Sequence, residues 1–427
     1  MKYTDKPDFG PLSNVRVVLA GLSTAGPFAA TMMSDFGADV ISIESPFVRD
    51  QYRTTDSLAY LNKERRNQRA IALNVVKPEG QEAFLKIIES ADIFIENSRA
   101  GTWDKRGLSD EVLWEHNPKL VICHITGFGM TGDPEYLARG SYDSIGQALS
   151  GFMALNGEPD GAPMQAPAYL CDYVVATLAS WSCLASYIKA QETGVGESID
   201  CAQYEAMMLF SSCWPMDWFQ YRLERKRAGA ASPTFAGCGT YQCKDGWLYV
   251  FFLSTPTMKK GLPFFGLEFG SELYPEENYA VFKGTEGGDI LEEKVRAYCA
   301  EHTVLEAEKE LNANGITASA VLDYKMMETH PQFVARGNII EYEGIEGETV
   351  KGLSIAPRLK NFPTQIWRRP PHYGEDNEDV LAEAGYTSEQ IQDMYDKGLI
   401  AKDMHDIDGL YERLKANKEK VEAELGL

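Results

Sequence analysis

The chain has 427 residues, of which 44% are hydrophobic and 24% charged, enough apolar material to bury a large core and to form two domains. Its net charge of −22 argues against nucleic acid as a partner, because a phosphate backbone would be repelled at long range. The stretch 1–10 is polar with both charge signs, and apolar runs such as 248–253 are too short to cross a bilayer; no secretory leader or membrane anchor is expected, and the expected location is cytoplasmic.

In chain order, the first 200 residues alternate β-rich runs with amphipathic stretches, the pattern of a parallel sheet covered by helices. Strands are expected at Val15–Ala20, Asp39–Glu44, Ala70–Val75, Ile93–Asn97, Leu120–Thr126 and Glu197–Ala202. Helices are expected at Pro27–Phe36, with proline in the first turn and Gly37 closing it, at Glu79–Ser90, and at Asp110–Asn117, ended by Pro118. A helix of about five turns follows over Cys171–Gln191 and stops at Gly194. Beyond residue 225 the texture changes. The basic run Arg222–Arg227 gives way to small and aromatic residues over Pro233–Tyr241, a strand at Trp247–Leu253, helices at Asp289–His302 and Leu305–Asn314, and a strand at Ala318–Asp323. The expected organisation is a Rossmann-like α/β large domain over 1–228 and a smaller α+β domain over 229–335. Segment 336–427, Pro-rich and then acidic and helical, is expected to return to the large domain.

Eight cysteines without a CxxC pair and six dispersed histidines offer no metal-ligand spacing, so no metal site is expected; most cysteines read as buried free thiols. The turn Gly21-Leu-Ser-Thr-Ala-Gly26-Pro27 follows a strand and opens a helix, where a phosphate could rest on backbone N–H groups. It departs from GxGxxG and reads as a plain strand-to-helix turn. Gly127-Phe-Gly129-Met-Thr-Gly132 could let a ligand approach the backbone closely, whereas Thr193–Asp200 only turns the chain. Arg99, after Asn97-Ser98, and Arg106, seven residues on, could overhang the carboxyl edge of the sheet and receive phosphate. They could equally be surface arginines, and the runs Lys63–Arg69 and Arg222–Arg227 are open in the same way. Asp172 begins the long apolar helix. As an N-cap it would accept backbone N–H bonds, which would keep its carboxylate ionised below the usual value of about 3.9. An ionised, positioned carboxylate is also a possible nucleophile.

These phrases assemble into a pattern that resembles the class III CoA-transferase (CaiB/BaiF) family. The matching segments are Phe9-Gly-Pro-Leu12, Ala25-Gly-Pro27, Gly37-Ala-Asp-Val-Ile-Ser-Ile-Glu44, Ala91-Asp-Ile-Phe-Ile-Glu-Asn97, Asn117-Pro-Lys-Leu120, Gly127-Phe-Gly129, Thr193-Gly-Val-Gly-Glu-Ser-Ile-Asp200 and Ile366-Trp-Arg368. The resemblance covers nearly the whole chain. It implies that Asp172 is the nucleophile of a reversible CoA transfer between carboxylic acids, that Arg99 and Arg106 hold CoA, and that Asn97 and Leu73 line the CoA site. It also implies a homodimer of interlocked open rings, with acyl-CoA and a small carboxylic acid as substrates and no permanently bound cofactor. Ser42 departs from the lysine many members carry before Ile-Glu. Backbone N–H groups of the Gly127 turn, Gly237 and Gly239 are candidate oxyanion donors.

Phe235-Ala-Gly-Cys-Gly-Thr-Tyr241 is similar to the carnitine branch of the family, while Arg139-Gly-Ser-Tyr-Asp-Ser-Ile-Gly-Gln147 and the extension after Gly398 are similar to the bile-acid branch. A betaine acid such as carnitine is the favoured substrate and a bile acid the alternative. Trp214, Trp218, Phe219 and Tyr221 could cage a trimethylammonium group, wall a steroid, or simply be core or interface residues. The α-methylacyl-CoA racemases of the same fold add a histidine base where this chain reads Ser141-Tyr142-Asp143. A non-catalytic CoA-binding protein would use Asp172 only as a cap. A nicotinamide-dependent dehydrogenase would need GxGxxG and an acidic ribose partner, which the sequence lacks.

Overall fold

Runs rich in Val, Ile, Leu and Cys form six strands: β1 (Arg16–Ala20), β2 (Asp39–Glu44), β3 (Gln68–Ala72), β4 (Ile93–Glu96), β5 (Val121–Thr126) and β6 (Glu197–Ala202). They pair in parallel in the order β3-β2-β1-β4-β5-β6. β2 to β5 are buried at every position, as expected where helices cover both faces of a sheet. The computed structural model that shows this describes residues 5–53, 58–402 and 410–425.

Between and after the strands run α1 (Ala25–Asp35), α2 (Ala59–Glu64), α3 (Pro78–Ile88), α4 (Asp110–His116), α5 (Pro134–Leu137), α6 (Asp143–Leu149), α7 (Phe152–Leu155), α8 (Leu170–Thr193), α9 (Gln203–Leu209) and α10 (Trp214–Tyr221). Alternate strand residues feed opposite cores. Val17, Leu19, Ile93 and Cys123 pack with Met33 of α1 and Val175 and Cys183 of α8. Val18, Phe94 and Ile122 pack with Phe84 of α3 and with Val380 and Leu381 from the end of the chain.

The chain divides into two compact units, Met1–Ser150 with Pro167–Ser211 and Gly337–Leu427, and Gly151–Ala166 with Ser212–Arg336. The sequence places one crossing out of the large domain at 228/229 and one back at 335/336. In the structure Gly151–Ala166 groups with the second unit, because the Arg227 guanidinium donates to the carbonyls of Ala154, Glu158 and Gly161. The second unit holds the antiparallel sheet β7 (Cys238–Gln242), β8 (Trp247–Phe251) and β9 (Thr317–Ala320), packed with α11 (Thr255–Phe264), α12 (Glu286–Ala300) and α13 (Val304–Ala313). β8 alternates exposed and buried residues, as a sheet with one wet face should.

In the first unit the returning segment closes the open side of β3. Asp376 and Asn377 side chains accept from Ala70 N–H at 2.8 Å and Ala72 N–H at 2.9 Å, taking the place of a seventh strand. Asp376 also pairs with buried Arg368 at 2.8 Å. Arg368 keeps a second carboxylate, Glu375 at 3.4 Å, so Asp376→Ala chiefly leaves the buried Ala70 N–H without its acceptor, and a loss of about 1–3 kcal/mol is expected in urea unfolding; a loss under about 0.5 kcal/mol would show that the edge closure is not what holds this segment.

The basic run Lys63–Arg69 is internal architecture. Arg65 pairs with Asp50 and donates to Ser42 Oγ at 2.7 Å, Arg66 pairs with Asp35 at 2.6 Å, and Arg69 bridges Asp39 at 2.6 Å and Glu383 at 2.7 Å. This explains why β3 starts at Gln68 and not at Ala70: Arg69 enters the sheet already neutralised. It also fills the place around Ser42. Cys213 is exposed, Cys201 half-buried and the remaining cysteines buried. Among the described residues no helix is long and apolar enough to cross a membrane, and no group of three or more His, Cys, Asp or Glu could hold a metal ion.

Candidate active site

In a parallel sheet whose strand order reverses beside β1, ligands are received at the carboxyl ends of the strands. A cavity of about 500 Å³ lies there, lined by the residues that follow β1, β2, β3, β4 and β5. Leu73, Asn97, Arg99, Arg106 and Asp172 all line it, so the fold brings together the expected nucleophile and the four residues expected at the CoA site. Ser141, Tyr142 and Gln203 line it as well.

The segment carrying the two arginines is anchored from beneath. β4 ends in Glu96, whose buried carboxylate accepts from Ser98 N–H at 2.6 Å, Trp103 Nε1–H at 3.0 Å and His124 Nδ1 at 2.7 Å. His124 reaches Asp110 at 3.0 Å with its other nitrogen. Burial disfavours the charged ring, but hydrogen bonds to Asp110 and Glu96 outweigh it and push the imidazole up to about 10. Trp103, so fixed, carries the Arg106 guanidinium 5.2 Å from its ring centre. Among the described residues neither Arg99 nor Arg106 has a carboxylate partner, in a chain with 63 acidic residues and 41 basic ones. Guanidinium groups without an ion-pair partner have their forked N–H donors available to an anion.

Asn97 is spent differently. Its Oδ1 accepts from Leu22 N–H at 3.0 Å and its Nδ2 donates to Leu22 O at 2.8 Å, clamping the turn between β1 and α1. That explains the glycine of this turn: a Cβ on Gly21 would lie 3.0 Å from Asn97 Oδ1 and 2.8 Å from Leu19 Cδ1. The glycine serves close packing of the turn against β4. Leu73 is buried, its N–H donating to Glu44 O at 2.9 Å at the end of β3.

Asp172 is not the N-cap that the sequence suggested. α8 begins one residue after Tyr169, which caps it with φ 56°, and Asp172 lies inside the first turn. Its Oδ1 accepts from the side chain of Gln203, Nε2 at 2.5 Å, and its own N–H donates to Asp143 Oδ1 at 3.2 Å. The expected low pKa is overturned too. Burial, followed by the charge of Asp143, pushes the carboxyl up to about 7; the Gln203 hydrogen bond pulls the other way and Glu64 adds to the rise. A helix N-terminus favours a carboxylate by roughly 0.3–1 kcal/mol, too little to offset desolvation and neighbouring acids.

Sequence reasoning missed Gln203. The available signal was its position: the first residue after β6, at the same sheet edge as Asn97 and the Gly127 turn. The aromatic group of Trp214, Trp218, Phe219 and Tyr221 lies on α10 of the second unit, with Trp218, Phe219 and Tyr221 exposed. Gly237, proposed as an oxyanion donor, already gives its N–H to Glu292 at 3.0 Å.

The fold and cavity thus define a parallel α/β protein with a cavity at the carboxyl edge of its sheet that holds a buried carboxylate and two arginines. The chain matches CoA-transferase family III over residues 12–377. It is 40% identical over 402 residues to the L-carnitine CoA-transferase of Proteus mirabilis (strain HI4320), covering 93% of this chain and 98% of that protein. A crystal structure of a CAIB/BAIF family protein from Brucella suis superposes with a TM-score of 0.74 at 28% identity, over 88% of this chain and all of that one. Rv3272 from M. tuberculosis, at 22% identity and a TM-score of 0.74 over 88% of this chain and 99% of its own, shares the fold. The protein belongs to CoA-transferase family III and is a CoA-transferase.

Proposed function

We propose that the protein moves CoA reversibly between carboxylic acids through a covalent intermediate on Asp172. The observation that carries this is a buried carboxylate sharing one cavity with two unpaired arginines. The Asp172 carboxylate attacks the thioester carbonyl of the donor and expels CoA thiolate, leaving a mixed anhydride. The thiolate attacks the aspartyl carbonyl and releases the donor acid, giving an aspartyl-CoA thioester. An acceptor carboxylate then attacks that carbonyl and expels the thiolate, which attacks the acceptor side of the second anhydride and frees Asp172. Splitting the exchange this way makes each step a feasible acyl transfer. Arg99 and Arg106 hold the phosphates of CoA, while Leu73 and the Asn97-clamped turn wall its site.

A betaine acid such as carnitine is the favoured partner, supported by the 40% identity to a protein named for carnitine; a bile acid is the second choice. The reading includes a cytoplasmic homodimer of interlocked rings, supported by the family resemblance. It requires no resident cofactor. The racemase alternative has no support at the histidine position, where Tyr142 stands exposed.

Incubation with acyl-CoA followed by hydroxylamine is expected to leave a hydroxamate on the peptide bearing Asp172. Absence of any adduct with betainyl-, bile-acyl- and short-chain acyl-CoA, while CoA still binds, would refute the covalent route. Because the ionised carboxylate is the nucleophile and its pKa is raised to about 7, protonation removes activity as pH falls through that value. The kcat/KM profile is therefore expected to drop about tenfold per pH unit on its acid side; an acid limb near pH 4 would contradict the buried setting described above.

A further inference from the structure

The carboxamide of Gln203 is held at both ends. Nε2 donates to Asp172 Oδ1 at 2.5 Å, and Ser141 Oγ donates to Oε1 at 2.7 Å. An ionised carboxylate can only accept, so chemistry requires the NH₂ end to face it. Gln203 is nearly buried at the start of α9, and its main-chain carbonyl accepts from Cys171 Sγ at 3.3 Å. Ser141 reaches it because residue 127 is glycine: a Cβ there would sit 2.1 Å from the serine Cβ. On the other side of the nucleophile, Gln147 donates to Asp143 Oδ2 at 2.6 Å, fixing the carboxylate that receives the Asp172 N–H. The oxygen of Asp172 that Gln203 touches therefore has a defined place.

We propose that Gln203 is a catalytic residue whose Nε2–H stabilises the oxyanion formed on Asp172 Oδ1 during the two inner steps of the transfer. The proposal rests on the role of Asp172 given above. When Oδ2 attacks the donor thioester, the new C–O bond leaves Oδ1 as the carbonyl oxygen of the aspartyl group, and the expelled thiolate takes the C–S electron pair. Attack of that thiolate on the aspartyl carbon moves the C=O pair onto Oδ1. Collapse restores the carbonyl and expels the donor carboxylate, and no proton moves. Attack of the acceptor carboxylate on the aspartyl-CoA thioester again places the charge on Oδ1, and collapse expels thiolate. In the two outer steps the charge falls on a substrate oxygen, which Gln203 does not touch. Two main-chain donors of the Gly127 turn are already committed: Gly129 N–H to Thr126 Oγ1 at 2.7 Å and Met130 N–H to Asp200 at 2.8 Å.

Gln203→Met keeps the length and removes the donor. With an acyl-CoA that labels wild-type Asp172, kcat and the rate of aspartyl-CoA formation, followed by mass spectrometry of the intact chain, are expected to fall about 10²–10³-fold. KM for acyl-CoA is expected to stay within about threefold, since the donor acts in the transition state. The acid limb of the pH profile moves upward, because the Gln203 hydrogen bond favours the ionised form; the fall in the pH-independent plateau above that limb is what separates oxyanion stabilisation from an altered carboxyl pKa. Ser141→Ala frees the carboxamide to turn and should lower kcat about three- to tenfold. A folded Gln203→Met enzyme with kcat within about fivefold of wild type overturns the proposal, as does unchanged kcat in Ser141→Ala should the first variant fail to fold. Absence of an Asp172 adduct in the wild type would instead refute the covalent route itself.

Discussion

Asp172→Asn is expected to abolish turnover and, at pH 8, to make the protein more stable. Turnover should fall by about 10⁴-fold or more, since the residue forming the covalent bond is removed while the cavity is kept. The stability effect follows from the same burial that activates the group. In the unfolded chain the carboxyl ionises near its ordinary value of 3.8, whereas in the fold it is pushed up to about 7. Below the lower value both states are protonated and the group costs nothing. As pH rises from there the unfolded state loses its proton first, so folding stability falls by about 1.4 kcal/mol per pH unit until the folded group also ionises near pH 7. Above that the cost is constant and complete. Asparagine removes it while still offering an oxygen to Gln203, so a gain of roughly 2–4 kcal/mol is expected at pH 8, shrinking toward zero near pH 4. Chemical denaturation of both proteins at the two pH values measures this. An equal or lower stability of the variant at pH 8 would mean that Asp172 is not held under electrostatic cost.

Removing both Arg99 and Arg106 is expected to raise KM for acyl-CoA on the order of 10³-fold with kcat changed only a few-fold. Each charge-assisted bond to phosphate contributes about 1.5–3 kcal/mol, and contacts made equally in ground and transition state appear in KM alone. Because neither guanidinium has an ion-pair partner to leave stranded, the double substitution should cost little stability, which circular dichroism melting can check. Arg106→Lys separates charge from shape: lysine keeps the charge but loses the planar stack on Trp103 and the forked grip, so an intermediate KM is expected. If KM for acyl-CoA stays within about threefold in the double variant, the phosphates of CoA are held elsewhere.

The sheet was legible because β4 and β5, buried on both faces, read as largely apolar runs, and because Pro27, Gly37, Pro118 and Gly194 mark helix ends through chain geometry alone. Arg99 and Arg106 could be placed at the sheet edge by counting from the end of β4. What their sequence could not reveal is that both stay unpaired while Glu44, which lines the same cavity, is taken by Arg53. The two-unit division was illegible for a similar reason: Arg227 finds its carbonyl partners some seventy residues back along the chain.

By itself the sequence determined the strand and helix pattern, the family, and the position of Asp172 at the head of a long helix, all of which depend on local periodicity or on motif identity. Only the tertiary structure decided that this carboxyl is buried against Asp143 and Gln203 instead of capping α8, that Asn97 clamps the turn after β1, and that Lys63–Arg69 is neutralised inside the first unit. Those outcomes depend on desolvation and on charges brought close by strands distant in sequence, and both are fixed by distances in space that chain spacing does not encode.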